Sequence, residues 1–150
     1  MDSFGTKIMS EDWKSLAKQS HYETAQLIQK KLDLGEWQEA YQGIEELVEA
    51  LGRSEKRALR SQLVRLMMHV IKWKSQPYKR SPSWVYTIAS ARMEIEDLLV
   101  DEPSLRSELE SLFETTFPKA KRLAEAEMNQ QCSVVKLTWE EVFEEEYYLD

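Results

Sequence analysis

Apolar residues recur along this chain at helical spacing, and the interruptions between the runs predict where helices begin and end. Trp13, Leu16, Ala17, Thr24, Ile28 and Leu32 form one stripe. It predicts a first helix capped by Ser10, with Glu11 and Asp12 in its opening turn, ending near Gly35. A second periodic region runs from about Trp37 to Ser75. Inside it, "LGRS" offers a glycine stop at Gly52 followed by a fresh cap. The phase of the stripe argues for continuity instead. Advancing 100° per residue from Arg53 puts Ile44, Leu51, Ala58, Leu66 and Trp73 within about 40° of the opposite face. A break scrambles such a phase, so one long helix is expected.

Ser83 is the expected cap of a third helix, with Trp84, Ile88, Ala91, Ile95, Leu98 and Leu99 on one face. Pro103 suits the first turn of a fourth, after Asp101 or Glu102. Leu105, Leu109, Leu112, Thr116, Ala120, Leu123 and Ala124 line it, and Pro118 is expected to kink it. The stretch "TWEEVFEEEYY" opens with the capping-box pair Thr138 and Glu141. Its short helix carries Trp139, Phe143 and Tyr147 on one side and acids on the other. Only "SVVKL" hints at a strand. The expected fold is therefore all-α: an antiparallel bundle of about four main helices, one long, plus a short C-terminal helix, in a single domain over residues 1–150. Leu51, Leu66, Trp73, Trp84, Ile88, Ile95, Leu109, Leu112 and Leu123 should form its core.

Composition narrows the class. At 150 residues with 42% hydrophobic and 31% charged positions, the chain suits an ordered globular domain. Four Gly and four Pro supply little turn chemistry, which favours long helices over a sheet. The one cysteine, Cys132, has no internal disulfide partner and suits a reducing compartment. "MDSFGTKIMSEDW" lacks a signal pattern, and Arg65, His69 and Lys72 interrupt the most apolar run, "LVRLMMHVIKW". A cytoplasmic protein that does not enter a membrane is expected.

Several catalytic signatures are missing from the sequence. It contains no glycine-rich phosphate loop, no G-x-S-x-G elbow and no H-E-x-x-H pair. Its two histidines lack the Glu-x-x-His spacing of di-iron bundles. No metal site and no cofactor are expected.

Three features remain as candidate sites. Between Arg53 and Arg80 lie nine basic residues against one acid, Glu55, in a chain of net charge −7. Arg53, Lys56, Arg57 and Arg60 share the face opposite the apolar stripe. They form either an anion-binding surface or a solvated face answered by acids such as Glu94, Glu96 and Asp97. Glu55, Gln62 and His69, spaced by sevens, form a polar ladder at the stripe with Arg92 as expected counter-ion. That ladder is either a register-setting layer or a pocket with a tunable histidine. The third feature is "HVIKWKSQPYKRSPSW", residues 69–84. Its prolines force a corner at which Trp73 and Trp84 should touch or share a neighbour. Lys79 and Arg80 should lie near a helix N-terminus, where an anion could sit.

These same residues carry a resemblance. "LGRSEKRALRSQL", then "HVIKWKSQPYKRSPSW", "TIASARMEI" and "DEPSLR" resemble a bacterial family known as domain of unknown function 29, many of whose members are cyanobacterial. The shared pattern here comprises Gly52, Ser54, Glu55, His69, Lys72, Trp73, Gln76, Pro77, Arg80, Ser83, Trp84 and Arg92. The likeness covers about residues 35–145, and "LTWEEVF" resembles the family's ending more loosely. The first third lacks the family's acidic-aromatic opening. The resemblance implies an all-helical fold and no particular activity.

The expected function is a non-catalytic adaptor or regulatory module that binds another protein. The alternatives are a nucleic-acid or phosphorylated-ligand binder using the Lys72–Trp84 corner, and an enzyme with His69 as acid or base. The candidate binding residues are Glu55, His69, Lys72, Trp73, Pro77, Arg80, Trp84 and Arg92.

Overall fold

The computed structural model describes residues 7–150, and among them there are six α-helices and no strand. They are α1 (Ser10–Gln19), α2 (His21–Asp33), α3 (Trp37–Ser75), α4 (Pro82–Asp101), α5 (Arg106–Met128) and α6 (Trp139–Phe143). The fold is all-α, with one long helix and a short C-terminal one, as the periodicity implies. α3 runs through Gly52 without a break over 39 residues. The chain divides into two compact units, and the division falls inside α3, between Ser54 and Glu55.

In the first unit the single expected helix is two. Ser20 is extended (φ −157°, ψ 114°) and its side chain accepts a hydrogen bond from the Glu23 amide, which restarts the helix. The signal was Ser-x-x-Glu at 20–23. The apolar spacing carries across that joint, so periodicity alone hides it. Ser10 is the first helical residue of α1; the cap position belongs to Met9, whose side chain makes no capping bond. α2 ends as expected at Gly35, whose φ of +75° suits glycine. The Glu36 amide donates to Lys31 O and the Gly35 amide to Leu32 O, which closes the helix end.

Trp13, Ile28 and Ala40 form this unit's core. Gly43 lets α3 approach: a Cβ there would lie 2.7 Å from the Trp13 ring and 2.8 Å from Ile28 Cγ1. Lys31 is buried, with its ammonium 2.6 Å from Glu36 and 2.8 Å from Glu39. Burial opposes the Lys31 charge, but the two carboxylates outweigh it and raise the pKa.

In the second unit three helices enclose a core of Leu59, Leu63, Leu66, Met67, Val70, Ile71, Ile88, Ala91, Ile95, Leu109, Ala120 and Ala124, among others. Arg65 meets Ser90 and Lys72 meets Trp84, so α4 runs antiparallel to α3. Lys56 pairs with Glu108 and Lys72 with Glu127, so α5 returns parallel to α3. Ser81, not Ser83, caps α4, because Pro82 takes the first helical position and pushes Ser83 into the helix. Pro103 begins a short 3-10 turn ahead of α5, and α5 continues through Pro118. Pro118 is exposed, so water can reach the Glu114 carbonyl that its missing N–H leaves free. "SVVKL" forms no strand, and Thr138 and Glu141 make the expected capping box.

Most of the expected core is buried, with three departures. Trp84 is half-buried, Leu51 is 40% exposed and Leu123 is 42% exposed. Leu123 sits beside the face that Ala120 and Ala124 bury. Leu51 shares its face with Trp37, Tyr41, Ile44 and Val48, which are also exposed. We expect Leu66→Ala to cost about 2–5 kcal/mol in urea unfolding. Leu51→Ala and Leu123→Ala should each cost under about 1 kcal/mol. Gly43→Ala should destabilise by about 1–3 kcal/mol, because Trp13 and Ile28 must move.

Candidate functional site

The corner between α3 and α4 gathers most of the candidate residues, and their polar groups are turned toward one another. Lys72 is buried at the end of α3. Its ammonium lies 2.8 Å from Glu127 Oε1 and 4.8 Å from the centre of the Trp84 ring. A buried cation needs such partners, and here one carboxylate and one aromatic face replace its water. The hydrogen bond from Lys72 holds the Glu127 carboxyl below its usual pKa, against a smaller opposing effect of burial.

Arg80 turns back rather than outward. Its Nε donates to the Trp73 carbonyl at 3.0 Å, and its guanidinium lies 4.6 Å from the Trp73 ring centre. It thus satisfies a carbonyl in the last turn of α3, a group that helix geometry leaves without a partner. Gln76 is buried at the corner, and its backbone N–H donates to Lys72 O at 2.8 Å. Pro77 is exposed and opens the 3-10 turn of residues Pro77–Lys79. Trp73 and Trp84 form no ring pair among the described residues; each takes its own cation, Arg80 and Lys72 respectively.

The C-terminal segment docks beside this corner. Tyr147 meets the Trp73 ring edge-on at 5.3 Å, and the Arg92 guanidinium lies 5.4 Å from the Tyr147 ring. Arg92 Nε donates to Val142 O at 2.8 Å and a terminal nitrogen donates to Glu141 O at 3.3 Å. The Tyr147 hydroxyl donates to the same Glu141 carbonyl at 2.7 Å. Burial and the neighbouring carboxylates of Glu145 and Glu141 raise the Tyr147 pKa, so it stays a donor. The Glu141 carboxylate pairs with Lys74. Burial opposes the charge on Glu141, but Lys74 and the bonds from Thr138 outweigh it and lower the pKa. Among the acids of this segment, Glu141 is the one that both closes the capping box and meets a cation, Lys74.

The polar ladder is satisfied differently from expectation. Arg65, not Arg92, is the hub: it donates to Gln62 Oε1 at 2.8 Å and to Ser90 Oγ at 3.1 Å. Ser90 and Arg92 lie on opposite flanks of the buried Ala91, about 100° to either side, so only Ser90 faces the ladder. His69 Nδ1 lies 2.8 Å from the Arg65 carbonyl. A carbonyl only accepts, so Nδ1 carries the proton and Nε2 keeps its lone pair. Burial lowers the His69 pKa. Glu55 is half-buried and has no hydrogen bond or ion pair among the described residues.

On the basic face, Arg53 pairs with Glu49 at 3.7 Å and Lys56 with Glu108 at 3.5 Å. Glu96 instead meets Arg106. The sequence gives no sign of the roles of Glu127, Lys74 and the buried Lys31, since each acquires its role from a partner in another turn or helix. Among the described residues no three of His, Cys, Asp and Glu come together to hold a metal ion. Among the described residues no helix is long and apolar enough to cross a membrane.

Fold and site together define an all-helical protein whose most distinctive polar residues close a helix corner and strap a C-terminal segment onto it. The chain belongs to the family described as Domain of unknown function DUF29, whose sequence model matches residues 17–148. The match begins well before residue 35 and takes in α2 and the last turn of α1. No curated protein and no solved structure matches the chain.

Two outcomes are expected. His69 and Glu127 both have lowered pKa values, so each stabilises the fold above its unfolded-state value and loses that contribution as pH falls through the folded value. Thermal midpoints should therefore decline as pH drops below the usual histidine value of 6.5, and decline again below the usual glutamate value of 4.5. His69→Gln should flatten the first decline and Glu127→Gln the second. Separately, Arg92→Ala should speed amide exchange across residues 137–147 and leave α1 and α2 unchanged. Tyr147→Phe, which removes only the hydroxyl bond, should have a smaller effect.

Proposed function

We propose that the chain is a non-catalytic adaptor or regulatory module of the bacterial cytoplasm, and that it binds another protein through the N-terminal half of α3. One observation carries this reading. Trp37, Tyr41, Ile44, Val48 and Leu51 follow one another at steps of four, three, four and three residues, and all are exposed. Trp37 is 70% exposed, and Tyr41 and Val48 are each 63% exposed. Alternating steps of three and four place all five on one seam about 21 Å long. A contiguous apolar surface of this kind marks a protein-binding site, whereas scattered single residues do not.

The corner of residues 69–84 supports the ligand-binding alternative less well. Lys72 and Arg80 already engage Glu127, Trp84 and Trp73, and an incoming anion would have to displace them. His69 has a free Nε2, but no nucleophile or second acid is aligned with it by any hydrogen bond described above.

A photoreactive phenylalanine derivative placed at Val48 should give a covalent adduct with a second protein. The same group at Met93, which is 68% exposed on α4, should not. Equal labelling from both positions, or none from either, would reject the adaptor reading. In electrophoretic titration the full chain should bind nucleic acid weakly at physiological ionic strength. Tight binding that falls steeply with salt would favour the nucleic-acid reading instead.

A further inference from the structure

The exposed seam on α3 also specifies the chemistry of what covers it. Its inner flank is closed: Ala40, Gly43 and Ala50 are buried within the first unit, and Gly43 supports Trp13. Its outer flank is acidic: Glu45 and Glu49 lie beside Tyr41, Ile44 and Val48 on the same exposed surface. From Trp37 to Gly52 the helix carries four acids and no lysine or arginine. Glu39, the fourth, is already paired with the buried Lys31, whereas Glu49 lies 3.7 Å from Arg53 in an exposed pair that an incoming cation can exchange.

Charge then decides between occupants. A second copy of this chain would bring the same acids to the seam with no cation from that stretch to meet them. Like charges placed beside an apolar seam oppose pairing, and opposite charges at the flanking positions set the partner. The regular three-four spacing matches one face of another helix, which packs its side chains between successive turns.

We infer that this seam docks an amphipathic helix of a second protein, with an apolar face at the same spacing and lysines or arginines along its flank. The inference rests on the protein-binding reading above and adds the partner's shape and charge. Trp37, Tyr41, Val48 and Leu51 supply the apolar contact. Glu45 and Glu49 receive the cations and set the side on which the helix lies.

The test uses the full chain and two synthetic helical peptides with the same leucine seam, one flanked by lysine and arginine, the other by glutamate. Fluorescence anisotropy should show the basic peptide binding tighter by about tenfold, the effect of two or three exposed ion pairs. The difference should shrink as salt rises. Val48→Glu, at an exposed position, should abolish binding while the circular dichroism spectrum stays unchanged. The double variant Glu45→Lys, Glu49→Lys should reverse the preference between peptides. Equal affinity for the two peptides, or binding of neither, would overturn the inference. So would a dimer in sedimentation equilibrium that Val48→Glu dissociates, because the occupant would then be a second copy. A photo-adduct at Val48 that survives the charge-reversed variant would keep the adaptor reading and reject the basic helix.

Discussion

The continuity of α3 is the constraint on which the rest of the structure depends. The helix is continuous over 39 residues, and its apolar positions keep one phase through them. The residues packed against it change along the way. Residues up to Ser54 lie in one compact unit and those from Glu55 in another, so a single apolar face has to serve two different surroundings. In the second unit, α4 and α5 cover Leu59, Leu63, Leu66 and Val70 completely. In the first, α1 and α2 cover the flank formed by Ala40 and Gly43 and leave the seam of Tyr41, Ile44 and Val48 open. Gly52 is exposed, and a Cβ there would meet nothing within 4 Å. Its place in the helix is held by the ordinary helical bonds of its neighbours on both sides.

The end of α3 poses the opposite problem, because a helix terminus leaves carbonyls without partners and this one lies beside a buried lysine. Arg80 and Lys72 resolve both at once. Arg80 satisfies the Trp73 carbonyl while covering its ring, and Lys72 reaches across to Glu127 on α5. Trp73 also meets Tyr147, and Tyr147 meets Arg92. This row of two rings flanked by two cations links the helix corner to the C-terminal strap. The segment from Thr138 has only five helical residues, too few to hold a helix by backbone bonds alone. Its order derives from the Thr138–Glu141 capping box and from these tertiary contacts.

Much of this was legible in the sequence, for identifiable reasons. Gly35, the phase through Gly52 and the Thr138 capping box are local signals, and local signals survive translation into structure. The joint at Ser20 was obscured because Trp13, Ala17, Thr24 and Ile28 keep helical spacing across it. The cap of α4 was misplaced by two residues because two serines flank Pro82, and only the proline's preference for the first helical position separates them. The exposure of Leu51 could not be read at all: periodicity says which residues share a face, not whether another element covers it. Arg92 was picked out by its chemistry, but its partners lie 49 and 50 residues away on a backbone that no side-chain pattern marks.

The distribution of roles also separates fold from specificity. Lys72, Trp73, Arg80, Trp84 and Arg92 each engage another group of this chain. Changing any of them disturbs the corner or the strap before it disturbs an outside contact. Trp37, Tyr41 and Val48 are instead exposed on the longest helix. A substitution there leaves the buried contacts of α3 in place, so it separates a loss of recognition from a loss of fold.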